Sequence, residues 1–189
     1  VFLFCVNVIG CAGLLLGTLL MLTLYGHPGW GSTIIEAQLR WYDVPYAYED
    51  PGDVFKDSHA RRKLMTLNGV AQVPTVILSD GAVMTESAAI TFHLADVTGR
   101  DDLVPGAQDV TRARFLRWRI FIVANIYPTF TYVDDPGRFV SRADAQEDYV
   151  NQVSAYRKRL WRIMETEVKG PWFLGDRFSA IDIYIAVMN

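Results

Sequence analysis

Residues 68–87 read NGVAQVPTVILSDGAVMTES, and this stretch decides the fold. Val76, Ile77 and Leu78 form a short apolar run suited to a buried strand. Pro74 stands at its mouth, where a residue without an N–H belongs at a strand start, an edge or a turn. Asp80-Gly81 then signals a tight turn into a second strand. Glu86 and Ser87 open a helix that runs to about Val97 and stops at Gly99. The Val-Pro joint, the hairpin and the acidic helix start each leave main-chain polar groups whose partners must be accounted for.

Upstream, MLTLYG at 21–26 is a β-rich run, and Ser32 to Trp41 is a helix with Ile34, Ile35, Ala37 and Leu39 on a helical period. VPYAYED at 44–50 reads as a second strand starting at a proline, followed by a polar loop from Pro51 to Ser58. A helix near His59 to Leu67 ends at Asn68-Gly69. The order β-α-β-α-β-β-α over 21–100 defines an α/β unit whose first two strands, joined through a helix, are expected to be parallel.

Beyond a linker at 101–108 the texture changes, and a helical domain is expected over 109–189. Two long helical stretches, 107–133 and 142–168, carry no strand signal. In the second, Tyr149, Val153, Tyr156, Leu160, Ile163 and Met164 are spaced for one apolar face. GDRFSAIDI at 175–183 contains a capping box, with Ser179 as N-cap and Asp182 at the third helical position, and Phe178 and Ile183 placed as a hydrophobic staple. The helix it opens is apolar nearly all round and is expected at the centre of the helical domain. The sequence stops inside that helix, so the domain is expected to be incomplete.

Composition narrows the function classes. Of 189 residues, 51% are hydrophobic and 21% charged, which is a globular balance. A net charge of −3 argues against a general nucleic-acid binder, which needs a basic face. Cys5 and Cys11 are the only cysteines, so from Met21 onward a disulfide framework, a Cys-rich metal site and a Cys nucleophile are all excluded. His59 and His93 lack partners at ligand spacing, and no metal site is expected. The leader VFLFCVNVIGCAGLLLGTLL at 1–20 matches the ~20 apolar residues that span a bilayer. It lacks a basic flank to orient it. It reads as a spurious extension, with a membrane anchor or uncleaved signal as the alternative. Without an anchor, the expected location is cytoplasmic.

LYGHPGWGS at 24–32, AQVPTVILSDG at 71–81, TESAAI at 85–90 and GDRFSAIDI occur in that order across Met21 to Asn189. The chain thereby resembles a soluble glutathione transferase of the bacterial type, with a thioredoxin-like N-terminal domain followed by an all-helical domain. The resemblance implies a cis Val73–Pro74 bond that turns the polar groups of Val73 outward, so that glutathione pairs with them as an added strand. It further implies that Ser87, through amide and hydroxyl, holds the γ-glutamyl carboxylate at a helix N-terminus, with Glu86 near the ammonium and Gln72 adding a side-chain contact. The residues alone leave another reading open, with Thr85 as an ordinary cap and Glu86 as a first-turn acid.

In such a family the thiolate is stabilised by a helix N-terminus and one hydroxyl or thiol donor. The loop most resembles that of the cysteine-bearing bacterial members, yet Gly31 occupies the cysteine position. The candidates that remain are Ser32, Thr33 and Tyr25. Tyr25 stands one position before the site used by tyrosine-type members and is expected to face the core, while Thr33 lies one residue too deep. Ser32 is the expected catalytic donor, with an N-cap role as its alternative. His27 is read either as a neighbour of the thiol or as a solvated loop residue.

Trp30, Trp118 and Tyr127 are the expected second-substrate residues. Arg112, Arg114, Arg117 and Arg119 either attract an anionic ligand or serve a salt-bridged domain boundary. The implied activity is conjugation of glutathione to small hydrophobic electrophiles by a homodimer. The alternatives are a non-catalytic glutathione-binding or regulatory module, or a glutathione-dependent isomerase, dehalogenase or ether-cleaving enzyme.

Overall fold

The computed structural model describes residues 21–188, and the apolar leader lies outside them. No helix among the described residues is long and apolar enough to cross a membrane. The chain forms two compact units, one reaching to Leu94 and the other starting at Ala95.

The first unit is built on alternation and turn chemistry. Strand β1 (Leu22–Tyr25) buries Leu22 and Leu24. Helix α1 (Ser32–Trp41) buries Ile34, Ile35 and Leu39 as its period requires. Strand β2 (Tyr46–Glu49) pairs with β1 in parallel, as a strand–helix–strand connection implies. Helix α2 (Ser58–Met65) starts at Asp57, whose carboxylate accepts the His59 N–H at 2.7 Å.

Strand β3 (Thr75–Ile77) then runs antiparallel to β1, and β4 (Val83–Met84) antiparallel to β3. The resulting four-stranded mixed sheet has the order β2-β1-β3-β4. The hairpin turn differs by one residue from the sequence expectation. Gly81 N–H bonds the Leu78 carbonyl at 2.9 Å, which puts Ser79 and Asp80 at the centre, and Gly81 follows in the left-handed region at φ 85°. Glycine takes that conformation without steric cost. Helix α3 (Ser87–Thr98) follows the hairpin and buries Ile90, Thr91 and Leu94.

In the second unit the expected continuous helix over 107–133 is interrupted. Helix α4 (Arg112–Phe121) passes into a π-helical turn at Ile122–Ile126 and then into α5 (Tyr127–Asp134). A 3₁₀ turn at Pro136–Arg138 leads to the long α6 (Ala143–Glu165), and α7 (Ala180–Met188) follows. On α6 the buried residues are Leu160 and Met164. Tyr156 and Ile163 are 40% and 42% exposed, so the apolar stripe is narrower than its spacing suggests. The Tyr156 ring is covered instead by the Arg159 guanidinium, 5.1 Å from its centroid.

Helix α7 buries Ala180, Ile181, Ile183 and Tyr184, in keeping with its apolar circumference. Its cap is a variant of the expected box. The Asp182 carboxylate accepts from the Ser179 N–H at 2.8 Å and the Ser179 hydroxyl at 3.0 Å, and also from the Phe173 N–H at 2.8 Å. The serine hydroxyl thus donates to the carboxylate, and the Asp182 N–H goes to the Ser179 carbonyl. Phe178 packs edge-on against Trp172 at 4.8 Å.

Candidate functional site

Three segments of the first unit converge at one rim of its sheet. Tyr25 lies opposite Glu49 in the parallel pair and opposite Thr75 in the antiparallel one. Val76 lies opposite Met84 across the hairpin. The end of β1, the start of β3 and the end of β4 therefore share an edge.

The Val73–Pro74 peptide bond is cis. Among the described residues, neither the N–H nor the C=O of Val73 has a hydrogen-bond partner. The preceding loop is held firmly. The Gln72 carbonyl accepts from the Asn68 side-chain amide at 3.0 Å and the Thr75 hydroxyl at 2.8 Å, while the Gln72 side chain is exposed.

Beside it stands the mouth of α3. The Ile90 N–H bonds the Glu86 carbonyl at 3.0 Å, so the residue in the N-cap position is Glu86, not Thr85. Glu86 holds φ at 65°, a left-handed conformation that costs a non-glycine residue about 1 kcal/mol or more. The N–H groups of Ser87, Ala88 and Ala89 have no acceptor among the described residues. Free amides at a helix N-terminus, with the positive end of the dipole behind them, form a seat for a carboxylate.

A second helix mouth opens at α1. Gly31 is the N-cap and makes no side-chain cap bond, which displaces Ser32 from the cap role to the first helical position. The Gly31 and Ser32 N–H groups have no acceptor among the described residues. The Ser32 hydroxyl, expected to reach a thiolate, is buried at 1% exposure. It accepts from the His27 N–H at 3.1 Å, and its single proton is directed to the His27 carbonyl at 3.2 Å with the Tyr48 hydroxyl as a further neighbour. It therefore closes the loop onto the helix, and its donor is already in use. Gly26 explains the closeness of this arrangement, because a Cβ there would meet the Ser32 Oγ at 2.6 Å and the Tyr48 ring at 3.0 Å.

The loop carries further structure that the sequence does not reveal. His27 Nδ1 is 2.9 Å from Asp50 Oδ1, and the Gly52 N–H donates to the same oxygen at 2.8 Å. These bonds, that to His27 foremost, hold the Asp50 carboxyl below its ordinary range. Trp30 packs edge-on to His27 at 4.7 Å and tilted against Phe55 at 5.1 Å. Tyr25, Trp30 and Val73 lie together against Val54, Ala60 and Leu64. Asp50 joins the site only through the parallel pairing of β1 and β2, and no local motif signals a contact across that separation.

The second unit changes the reading of two expected residues. Trp118, expected to line a second-substrate pocket, is 1% exposed and wedged edge-on between Phe121 and Phe173, so it is a core residue. Tyr127 is turned inward: burial raises its hydroxyl far above the ordinary phenol range, with Tyr184 and Arg119 nearby. The arginines serve the unit's interior. Arg112 bonds the Pro105 carbonyl, Arg114 the Glu167 carbonyl, and buried Arg119 the Tyr184 hydroxyl, while Arg117 lies over the Trp118 ring. Among the described residues no three metal-ligating side chains come together.

A mixed-sheet unit with a Val-Pro corner facing a helix mouth, followed by a helical unit, defines a thioredoxin-like transferase architecture. Residues 20–96 match the family described as "Glutathione S-transferase, N-terminal domain". The chain is 38% identical over 170 residues to "Uncharacterized GST-like protein YncG" of Escherichia coli strain K12, covering 89% of this chain and 81% of that protein. A glutathione transferase structure from Methylococcus capsulatus superposes with a TM-score of 0.72 at 28% identity, covering 88% of this chain and 80% of that one. A homologue from Sulfitobacter, solved with bound glutathione, gives 0.77 at 24% identity over 89% and 80% of the two chains and supports the fold. The chain belongs to the glutathione S-transferase family, as a member of the bacterial type.

Proposed function

We propose that the protein binds glutathione along the Val73 corner and conjugates its sulfur to small hydrophobic electrophiles. The observation that carries this reading is the unpaired main chain of Val73 at a cis corner, one short hairpin away from the open amides at Ser87. An extended γ-glutamyl tripeptide would pair its cysteinyl amide and carbonyl with Val73, in the manner of an added strand. Its γ-glutamyl carboxylate would take the Ser87 amide and hydroxyl, and its ammonium would lie near Glu86. Pro74 shapes the corner, and the exposed Gln72 side chain adds a contact from the loop. The unusual φ of Glu86 supports a functional rather than a purely structural role for this turn.

The thiol would lie at the mouth of α1. There the Gly31 and Ser32 amides and the helix dipole favour the thiolate, whose neutral form has a pKa near ~8.5. Ser32 contributes through its amide, and its hydroxyl fixes the loop. Trp30 forms an apolar wall on which an electrophile can rest. A homodimer working in the cytoplasm completes the proposal.

Titration of the protein with glutathione by calorimetry, followed by an aryl-halide conjugation assay, tests it. Ser87→Ala should weaken glutathione binding by roughly tenfold or more, the worth of a hydrogen bond to a charged group at ~1.5–3 kcal/mol. Unchanged affinity in that variant would remove the hydroxyl contact, and no heat of binding with the unaltered protein would remove the carboxylate seat.

A second reading, a glutathione-binding module without conjugating activity, draws support from the committed Ser32 hydroxyl and from glycine at position 31. Binding without turnover across several electrophile classes would establish it over the first.

A further inference from the structure

We propose that His27, held by Asp50, is the base that takes the proton from the glutathione thiol. This rests on the glutathione-binding reading above and supplies what that reading lacks, a side chain able to ionise the sulfur. No such group is offered at the usual places: position 31 is glycine, Gly26 has no room for a Cβ, and the Ser32 proton is given to a carbonyl.

The geometry of His27 suits the task. Its main chain is tied to the α1 mouth by both bonds to the Ser32 hydroxyl, at 3.1 and 3.2 Å, so the residue cannot drift from the seat of the sulfur. Its ring lies against Trp30, which itself packs on the same apolar cluster as Val73. Its Nδ1 faces the Asp50 carboxylate at 2.9 Å. A carboxylate fixes the neutral ring as the Nδ1–H tautomer and leaves Nε2 as an acceptor. Nε2 has no partner among the described residues, and the side chain is 26% exposed. Asp50 is itself fixed by the Gly52 N–H. On the same segment Lys56 and Asp53 are paired at 3.3 Å, Asp57 accepts the His59 N–H at 2.7 Å, and Glu49 precedes Asp50 on β2. A base oriented by a carboxylate behind it is the arrangement that activates hydroxyl and thiol nucleophiles generally.

The step balances simply. The glutathione S–H bond breaks and the Nε2–H bond forms, leaving a thiolate at the α1 amides and an imidazolium against Asp50. On attack by sulfur at an electrophilic carbon, the leaving group departs with its electron pair, and the imidazolium returns its proton to solvent. Asp50 acts as a positioning residue.

The experiment uses the full chain with glutathione and with S-methylglutathione, which has no thiol proton. The pKa of bound glutathione is read from thiolate absorbance for wild type, His27→Asn and Asp50→Asn. His27→Asn is expected to raise that pKa by about one unit or more and to lower kcat by about a hundredfold. S-methylglutathione affinity should stay within about twofold of wild type. Asp50→Asn should raise the pKa by less and shift the acid limb of the pH–rate profile.

An unchanged thiol pKa in both variants overturns the proposal. So does an equal loss of S-methylglutathione affinity, which would make His27 only a loop brace. If wild type binds S-methylglutathione while its bound thiol titrates as free glutathione does, the base fails and the binding reading stands. If wild type binds neither ligand, the binding reading fails and the base goes with it.

Discussion

Glu86 occupies a backbone conformation that its own side chain disfavours, at φ 65°. Replacing it with glycine removes the Cβ clash, so Glu86→Gly is expected to raise stability by up to ~1 kcal/mol. The same change deletes the carboxylate proposed to meet the ligand's ammonium, so glutathione affinity should fall. Denaturant midpoints and calorimetry on one preparation would read the two opposed effects. A parallel loss of both would contradict the assignment. Gly26 presents the reverse case, where the smaller residue is required. Gly26→Ala would press on the Ser32 hydroxyl and the Tyr48 ring, and such overpacking costs about 1–3 kcal/mol. The expected readout is a lowered midpoint together with weakened glutathione binding, since the displaced Ser32 releases His27. In the sequence, Pro74 is legible as a junction residue because it cannot donate to a ladder, whereas the left-handed backbone of Glu86 is not signalled by its residue type. Ser32 is legible as important, yet its role depends on where one hydroxyl proton goes, which only the folded loop decides.

At the scale of elements, the strands and the first helices follow from periodicity and turn residues, and their observed bounds differ little from expectation. The break in the helical stretch has a physical source that periodicity does not carry. Pro128 has no N–H to give the Ala124 carbonyl, and the helix meets this by widening one turn. The Tyr127 N–H reaches back to the Ile122 carbonyl, and Ile122 and Ile126 both remain buried. Proline marks an irregularity in the sequence, and packing selects a wide turn over a kink. The cap of α7 was readable as a motif, but the third donor on Asp182, the Phe173 amide, comes from outside the helix. Asp182→Ala would leave buried donors unpaired at ~1–3 kcal/mol each, for a total of roughly 3 kcal/mol or more. Chemical denaturation should register that loss, and a change below about 1 kcal/mol would mean the donors find other acceptors.

At the scale of the molecule, ligand binding and folding are linked. A ligand held only by the native chain stabilises it by ~2.7 kcal/mol at a hundred times its Kd. For a chain of this size the midpoint of thermal unfolding should rise by roughly 5–10 °C with saturating glutathione. Differential scanning fluorimetry against glutathione concentration measures it, and a flat response would argue against binding. The two-part organisation is legible because strand signals cease abruptly after the linker. Among the aromatic residues of the second part, Trp118 is conspicuous in sequence and buried in the structure. Trp118 is a large apolar group on a helix, and the interior takes such groups first, while Tyr127 is only partly covered.

The β3–β4 hairpin also acts as a gauge. It fixes how far along the chain the open main chain of Val73 stands from the open amides at Ser87. One residue added between Ile77 and Val83 would slide one jaw past the other by ~3.4 Å and turn the side chains to opposite faces. For a peptide lying along this corner as proposed, the admissible span is written in turn length, and loop insertions there are expected to retune it without altering Val73 or Ser87.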